Sequence, residues 1–292
     1  MAFFRSLESR EPPTRRLFTD SSADAFLTRP LRIAAGATRI PGVRGFVRGS
    51  LDRLWPGARA SGVARTRLID DALRIATSQG FEQVVVLGAG FDMRSSRIPE
   101  LANVRLFEVD HPRTFARKRA CLADAGSTRP RHVTWVEVDL LNPGLIETLS
   151  DAGFDPAKRS FFVCEGVTNY LSEEAVRGLL ALVSRCATGS RILFTYVHAE
   201  VLTDPASFHG TGRLNRTLNS ADERWTFGLR PEQLADFLAE QGLELVWDRG
   251  SREYRAAYWG ERGRHLCGYE FYRAALAEVP LADERGSDAE GQ

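Results

Sequence analysis

The segment Gln-Val-Val-Val-Leu-Gly-Ala-Gly-Phe-Asp, residues 83 to 92, constrains the fold of this chain more than any other. A β-branched apolar run of this length, bounded by glycines, reads as a buried strand. Gly88 and Gly90 at its end let the backbone turn sharply and approach a ligand closely, and a helix opening after Asp92 would present unsatisfied N–H groups there. Strand, glycine turn and helix in this order form a unit of a parallel α/β sheet.

The pattern extends along the chain. Further strands are predicted over 104–109, 133–138, 160–164, 191–197, 243–247 and 265–272. Helical spacing lies between them, over 66–79, 113–124 and 172–185, the last opening on Ser172, which is suited to an N-cap. Another helix is expected from Pro231. This alternation predicts an α/β fold, a doubly wound and mostly parallel seven-stranded sheet in which the last strand pair contributes an antiparallel member. Ligands of such sheets sit beyond the carboxyl ends of the strands. Short apolar stretches broken at Pro30 and Pro41-Gly42 suggest an N-terminal helical cover. The expected organisation is a helical segment or lid over 1–60, a main domain over 61–280 with a polar insertion near 204–220, and a flexible tail over 281–292.

Composition narrows the partners. With 39 Lys plus Arg against 38 Asp plus Glu, no global field draws the chain to nucleic acid or to an anionic membrane. A small-molecule partner fits better; the oligomeric state stays open between monomer and homodimer. Four cysteines, Cys121, Cys164, Cys186 and Cys267, form no C-x-x-C pair and no disulfide framework. No apolar run approaches the roughly 20 residues of a spanning helix, and the N-terminus lacks a secretory pattern. A cytoplasmic setting is expected.

Four places carry candidate chemistry. The Gly88-x-Gly90 turn alone also suits a nicotinamide dinucleotide, but Met93 stands where such sites prefer a third Gly or Ala. Asp110, at the end of the next strand and about 20 residues past the turn, is the expected ribose ligand; Glu108 shares its face but lies farther from the crevice. Asp139 followed by Leu140 offers a hydrogen-bond acceptor beside an apolar slot, as an adenine ring requires, although an Asp there can equally cap a helix. Glu165 ends an otherwise apolar strand, and a carboxylate so placed needs a partner.

These residues resemble those of the S-adenosylmethionine-dependent methyltransferases related to leucine carboxyl methyltransferase, which include polyketide carboxyl methyltransferases. The likeness covers about residues 62 to 193 and rests on five ordered blocks: 64–71, 86–94, Glu-Val-Asp-His-Pro at 108–112, 138–140 and 164–171. It implies S-adenosylmethionine as cofactor, with Arg65 gripping its carboxylate, Gly88 against its methionyl part, Gly90 in the same cofactor-binding turn, Asp110 on the ribose, Asp139 and Leu140 at adenine, and Glu165 closing the pocket. A guanidinium suits a carboxylate because it can bind it bidentately. Arg67 is the rival, and either arginine could instead pair with Asp70 or Asp71.

The resemblance implies O-methylation of a small-molecule carboxylate of natural-product or polyketide type. A small-molecule hydroxyl, a protein C-terminal carboxylate, and a cofactor-binding protein without methyl transfer are the alternatives. A carboxylate nucleophile needs no base; a phenol would benefit from one, and His198 is the best placed histidine. The others give no metal-ligand spacing, so no metal is expected. Acceptor recognition is assigned to the N-terminal helices, the 204–220 insertion and the aromatics Tyr254, Tyr258 and Trp259, with core packing the competing role of the aromatics and the favoured one for Trp259 and Phe271.

Overall fold

The computed structural model describes residues 1–142, 144–204, 207, 208, 211 and 224–281. Its centre is a seven-stranded sheet of β1 (Gln83–Leu87), β2 (Arg105–Asp110), β3 (Val133–Glu137), β4 (Ser160–Cys164), β5 (Arg191–Val197), β6 (Glu244–Gly250) and β7 (Tyr272–Glu278), in the order β3-β2-β1-β4-β5-β7-β6. Strands β1 to β5 are parallel, and β7 runs antiparallel to both β5 and β6. The chain turns from one half of the sheet to the other between β1 and β4, and a crevice opens at such a switch point.

Strand alternation sends neighbouring side chains to opposite layers. Phe161 joins Val84, Val86 and the apolar stripe Ile69, Leu73 and Ala76 of helix α4 (Ala58–Ser78). Phe162 joins Phe107, Phe194 and the leucines of a helix over Glu173–Ser184 on the other face. Burying each such phenylalanine contributes about 1.5–3 kcal/mol, so both helical layers are held by the same central strands. The helix over Glu173–Ser184 starts as its sequence suggests, with Ser172 Oγ accepting from the Ala175 amide at 3.2 Å.

Helices α1 (Ala2–Glu8), α2 (Arg29–Ala37) and α3 (Pro41–Leu54) precede the sheet and share a small core of Leu7, Leu27, Ala35 and Leu51. The expected division at residue 60 falls inside α4, which carries the chain without a break from this cover into the main layers. Most of the 204–220 insertion, and the tail beyond residue 281, lie outside the described residues. No described helix is long and apolar enough to cross a membrane.

Two predicted elements are corrected. The helix after Asp92 spans only Arg94–Arg97 before a 3-10 turn over Pro99–Asn103, because Pro99 lacks the N–H that would continue it. The last strand is 272–278 and not 265–272; a helix over Ser251–His265 and a loop occupy the earlier stretch. Ala274, Ala275 and Ala277 are fully buried between β5 and β6, where small residues fit a strand flanked on both sides. Alanine has little intrinsic strand preference, so the sequence signal sat on the aromatic residues just upstream.

Candidate active site

The turn after β1 is built on two glycines in the left-handed region, Gly88 at φ +67° and Gly90 at φ +47°. A Cβ on Gly88 would lie 2.4 Å from Val167 Cγ2 and 3.6 Å from Leu140 Cδ1. The loop after β4 therefore closes down on the turn, and only a hydrogen at Gly88 leaves the passage open. Asp110 stands at the tip of β2 beside this turn, with Oδ2 accepting from the Gly90 amide at 2.6 Å and Oδ1 from the His111 amide at 2.7 Å.

Arg65 projects from α4 to the end of β4, where its Nε donates to Glu165 Oε1 at 2.9 Å. The Arg65 guanidinium also lies 4.2 Å from the centre of the Tyr272 ring. Arg67, its rival in the sequence, points elsewhere and pairs with Asp71 at 2.8 Å. Arg94 Nη2 holds the second Glu165 oxygen at 2.7 Å, while its Nε reaches Asp70 at 2.8 Å and its Nη1 contacts Asp92. Arg97 completes the chain, donating to both oxygens of Asp70 at 2.8 and 2.9 Å and lying 3.5 Å from Asp20, which Arg5 of α1 also holds. Asp20, Asp70, Asp92 and Glu165 thus balance Arg5, Arg65, Arg94 and Arg97. Such a network tolerates burial only because every charge has partners.

Burial alone would favour the neutral acid at Glu165. Arg94 and Arg65 outweigh it and hold the carboxyl down at about 2, and Asp92 is lowered further against the same opposition from burial, chiefly by Arg94 and Arg97. Burial pushes the neighbouring Cys164 thiol up to about 12, so it carries no thiolate at neutral pH. The Tyr269 phenol is pushed up to about 12 by burial, and Tyr272 is raised by burial against the opposing pull of Arg65.

These groups surround a cavity of about 720 Å³. Its lining joins the glycine turn with Arg65, Arg94 and Glu165 to apolar and aromatic side chains, among them Phe3 and Phe4 of α1, Leu51 of α3, Trp55 and Trp225. The structure brings Arg65, Gly88, Gly90 and Glu165 together on its wall. Asp110 is one hydrogen bond behind the wall, and Leu140 packs over Gly88 without lining the cavity. Asp139 is exposed, and its Oδ1 accepts from the Leu141 amide at 2.9 Å in a local turn; it is not the helix cap that the sequence left open, since the next helix begins at Leu145 with Gly144 as its cap.

His198 does not line the cavity. Its ring sits 5.3 Å from Phe208, and Nδ1 faces the Glu200 amide at 3.4 Å. Tyr254, Tyr258 and Trp259 pack with Leu68 of α4 and do not line the cavity, which is the core-packing role favoured for Trp259, and the Tyr258 hydroxyl donates to Asp71 at 3.0 Å. Glu108 is buried and paired with Lys118 at 2.7 Å and the Trp135 indole at 2.8 Å, which makes it a structural acid.

Sequence reasoning missed Arg94 and Arg97 and offered Asp70 only as a partner of Arg65 or Arg67, whereas it pairs with Arg94 and Arg97. One signal was available: Asp70 falls within the α4 stripe of Thr66, Ile69, Leu73 and Ala76, and an acid at a core position demands a cationic partner. No spacing rule pointed to Arg94 and Arg97 as that partner.

Comparison with known proteins adds a second line. Residues 1–184 match the family model described as leucine carboxyl methyltransferase. A protein of Parafrankia sp. (strain EAN1pec), provisionally named an S-adenosyl-L-methionine-dependent methyltransferase, is 41% identical over 195 residues, which cover 65% of this chain and 59% of the relative. One from Mycolicibacterium gilvum (strain PYR-GCK), named alike, is 32% identical over 56% of this chain and 51% of its own length. The chain thus spans little more than half of these two relatives. Another from Mycolicibacterium smegmatis is 32% identical over 84% of this chain and 87% of its own length. A crystal structure of a DUF574 family protein from Streptomyces avermitilis shares the fold, with a TM-score of 0.59 at 19% identity over 94% of this chain and all of that one.

Proposed function

Because the chain belongs to the leucine carboxyl methyltransferase family, we propose that it transfers the methyl group of S-adenosylmethionine to an oxygen of a small-molecule acceptor, foremost a carboxylate of a natural-product or polyketide-like acid. The observation that carries this reading is the single cavity joining the glycine turn and its Arg65–Glu165 pair to an aromatic wall beneath α1 and α3. Its lining combines charged and apolar groups, as a zwitterionic cofactor and an apolar acceptor require. The helical cover favours a small acceptor over a protein C-terminus, which would need an open groove.

The residues fit that cofactor. Arg65 and Glu165 supply the cation and anion that match an amino-acid carboxylate and ammonium, and the network around them keeps both charged. The bare Gly88 backbone would admit the methionyl portion, and Asp110 would accept from the ribose hydroxyls through the lone pairs left beyond its two amide contacts. Leu140, with Asp139 beside it, is assigned to the adenine. When bound, S-adenosylmethionine would supply an electrophilic methyl group for displacement by an acceptor oxygen, with the electron pair of the broken carbon–sulfur bond left on sulfur. The chain's own part is to hold the oxygen in line and keep water out.

A carboxylate acceptor arrives ionised and needs no base. A hydroxyl acceptor is the second reading, favoured by the pairing of Arg5, Arg65 and Arg94 with Asp20, Asp92 and Glu165. Labelled methyl transfer to a panel of aromatic acids and phenols tests the proposal. Base-labile product identifies an ester and base-stable product an ether; absence of S-adenosylmethionine binding would reject both.

Two further outcomes are expected. Asp110→Ala should weaken S-adenosylmethionine binding by about 1.5–3 kcal/mol, the worth of hydrogen bonds to a charged acceptor; unchanged affinity by calorimetry in a folded variant removes Asp110 from the site. His198→Ala should leave the turnover number within about twofold, since general-base assistance supplies on the order of 100-fold or more where it operates. A larger fall, with cofactor affinity intact, would return His198 to the reaction.

A further inference from the structure

Half of the large apolar side chains that stand exposed among the described residues lie between positions 31 and 55, on α2, α3 and the turns around them. Phe46 is 76% exposed, Ile33 65% and Ile40 60%, and none of the three lines the cavity. Glycines surround them. Gly36 follows Ile33 by about one helical turn, and Gly42 and Gly49 precede and follow Phe46 by the same step. A Cβ on Gly36, Gly42 or Gly45 would meet nothing within 4 Å. The helix surface around these apolar side chains is therefore bare, and exposed apolar groups gathered in this way mark an interaction site.

Charge on this stretch is one-sided. The chain as a whole is balanced, but residues 29–55 hold Arg29, Arg32, Arg39, Arg44, Arg48 and Arg53 against a single acid, Asp52, which Arg59 grips at 2.8 and 3.0 Å. Arg48 is taken by Glu11 at 2.9 Å. Three of the others stand beside the apolar groups. Arg39 is exposed next to Ile40, and Arg44 Nε donates to the Thr38 carbonyl at 3.0 Å in the turn before α3. A Cβ on Gly49 would lie 3.8 Å from Arg53 Nη1, which puts that guanidinium within about a turn of Phe46. Arg29 and Arg39 form no ion pair among the described residues.

We propose that the α2–α3 segment is a docking surface for a bilayer containing anionic phospholipid, with Ile33, Ile40 and Phe46 entering the acyl boundary and the arginines meeting headgroup phosphates. Short helices that combine arginine with protruding apolar side chains suit the plane of such an interface, and a guanidinium binds phosphate through paired hydrogen bonds. A second copy of the same face is a poor occupant, since arginines would meet arginines across the contact. An acidic protein would need a pocket shaped for each protruding side chain, whereas acyl chains receive protrusions of any shape. The same segment lends Leu31, Leu51 and Trp55 to the cavity wall, so the docked surface and the chamber share one structural element. The inference goes beyond the proposed methyl transfer and does not depend on it.

Co-sedimentation of the full chain with lipid vesicles is the test. Vesicles of phosphatidylglycerol and phosphatidylcholine in equal parts should bind at least about tenfold tighter than phosphatidylcholine alone. Sodium chloride at about 0.5 M, where the screening length is on the order of 4 Å, should remove most of that difference. Phe46→Ala and Arg39→Glu should each weaken binding to the mixed vesicles at least about fivefold. Arg185→Glu makes the same change of charge at an exposed position after the helix over Glu173–Ser184 and should leave binding within about twofold. The altered side chains are exposed and lie on separate elements, so a folding failure in one variant, seen by circular dichroism, leaves the others decisive. Equal affinity for the two vesicle types, or an equal loss in Arg185→Glu, overturns the proposal. Failure to bind the mixed vesicles also overturns it and would hand the surface to an acidic protein. A wild-type dimer that Phe46→Ala dissociates overturns it in favour of a second copy.

Discussion

Asp70→Asn should lower the unfolding free energy at neutral pH by about 3–5 kcal/mol, the usual cost of removing one partner from a buried ion network. Asp70 is fully buried and accepts from Arg94 once and from Arg97 twice. The neutral amide keeps the shape but leaves two interior guanidinium groups facing three remaining carboxylates. Urea denaturation reads the effect as a lower midpoint at unchanged slope. A loss below about 1 kcal/mol would show that Arg94 and Arg97 are satisfied by Asp92, Asp20 and Glu165 alone. Because Arg94 also holds Glu165, the variant should weaken S-adenosylmethionine binding as well.

Gly88→Ala is expected to be the most damaging small change at the cofactor end. A non-glycine residue in the left-handed region costs about 1–2 kcal/mol, and here the added carbon would stand 2.4 Å from a Val167 methyl. Either Val167 is driven into the cavity or the turn shifts, so S-adenosylmethionine affinity should fall at least about tenfold, equivalent to 1.4 kcal/mol. Adding Val167→Ala should recover part of the loss, since it removes the collision and leaves the backbone strain. Wild-type affinity in Gly88→Ala would disconnect this turn from cofactor binding.

The legible parts of this fold were those encoded by local pattern. The run Val84, Val85 and Val86 with its glycines specifies a buried strand and a tight turn, and the same periodicity places Asp110 and Glu165 at strand ends without reference to any other part of the chain. The last strand was displaced because its register is set by what flanks it: alanines at 274, 275 and 277 carry no signal of their own and are strand residues only because β5 and β6 leave narrow space. The ion network escaped for a related reason. Arg94 and Asp70 are 24 residues apart and Arg65 and Glu165 are 100 apart, and nothing local records which of the chain's many arginines meets which acid. His198 was favoured by its position after β5, but the direction of its ring is decided by Phe208 and the Glu200 turn.

The antiparallel β7, threaded between β5 and β6, has a consequence for how such chains can diverge. It starts at Tyr272, whose ring covers Arg65, and it follows the stretch that delivers Tyr269 and Phe271. With Trp225, these aromatics come from beyond residue 184, where the family match ends, while Arg65, Gly88 and Glu165 lie within it. Most of the chamber, its aromatic Phe3, Phe4 and Trp55 included, is thus furnished by the portion that the family model matches, and Trp225, Tyr269 and Tyr272 are added from beyond it. Mutations at Trp225, Tyr269 or Tyr272 can reshape what the chamber admits while the charged residues of the earlier portion keep their identities.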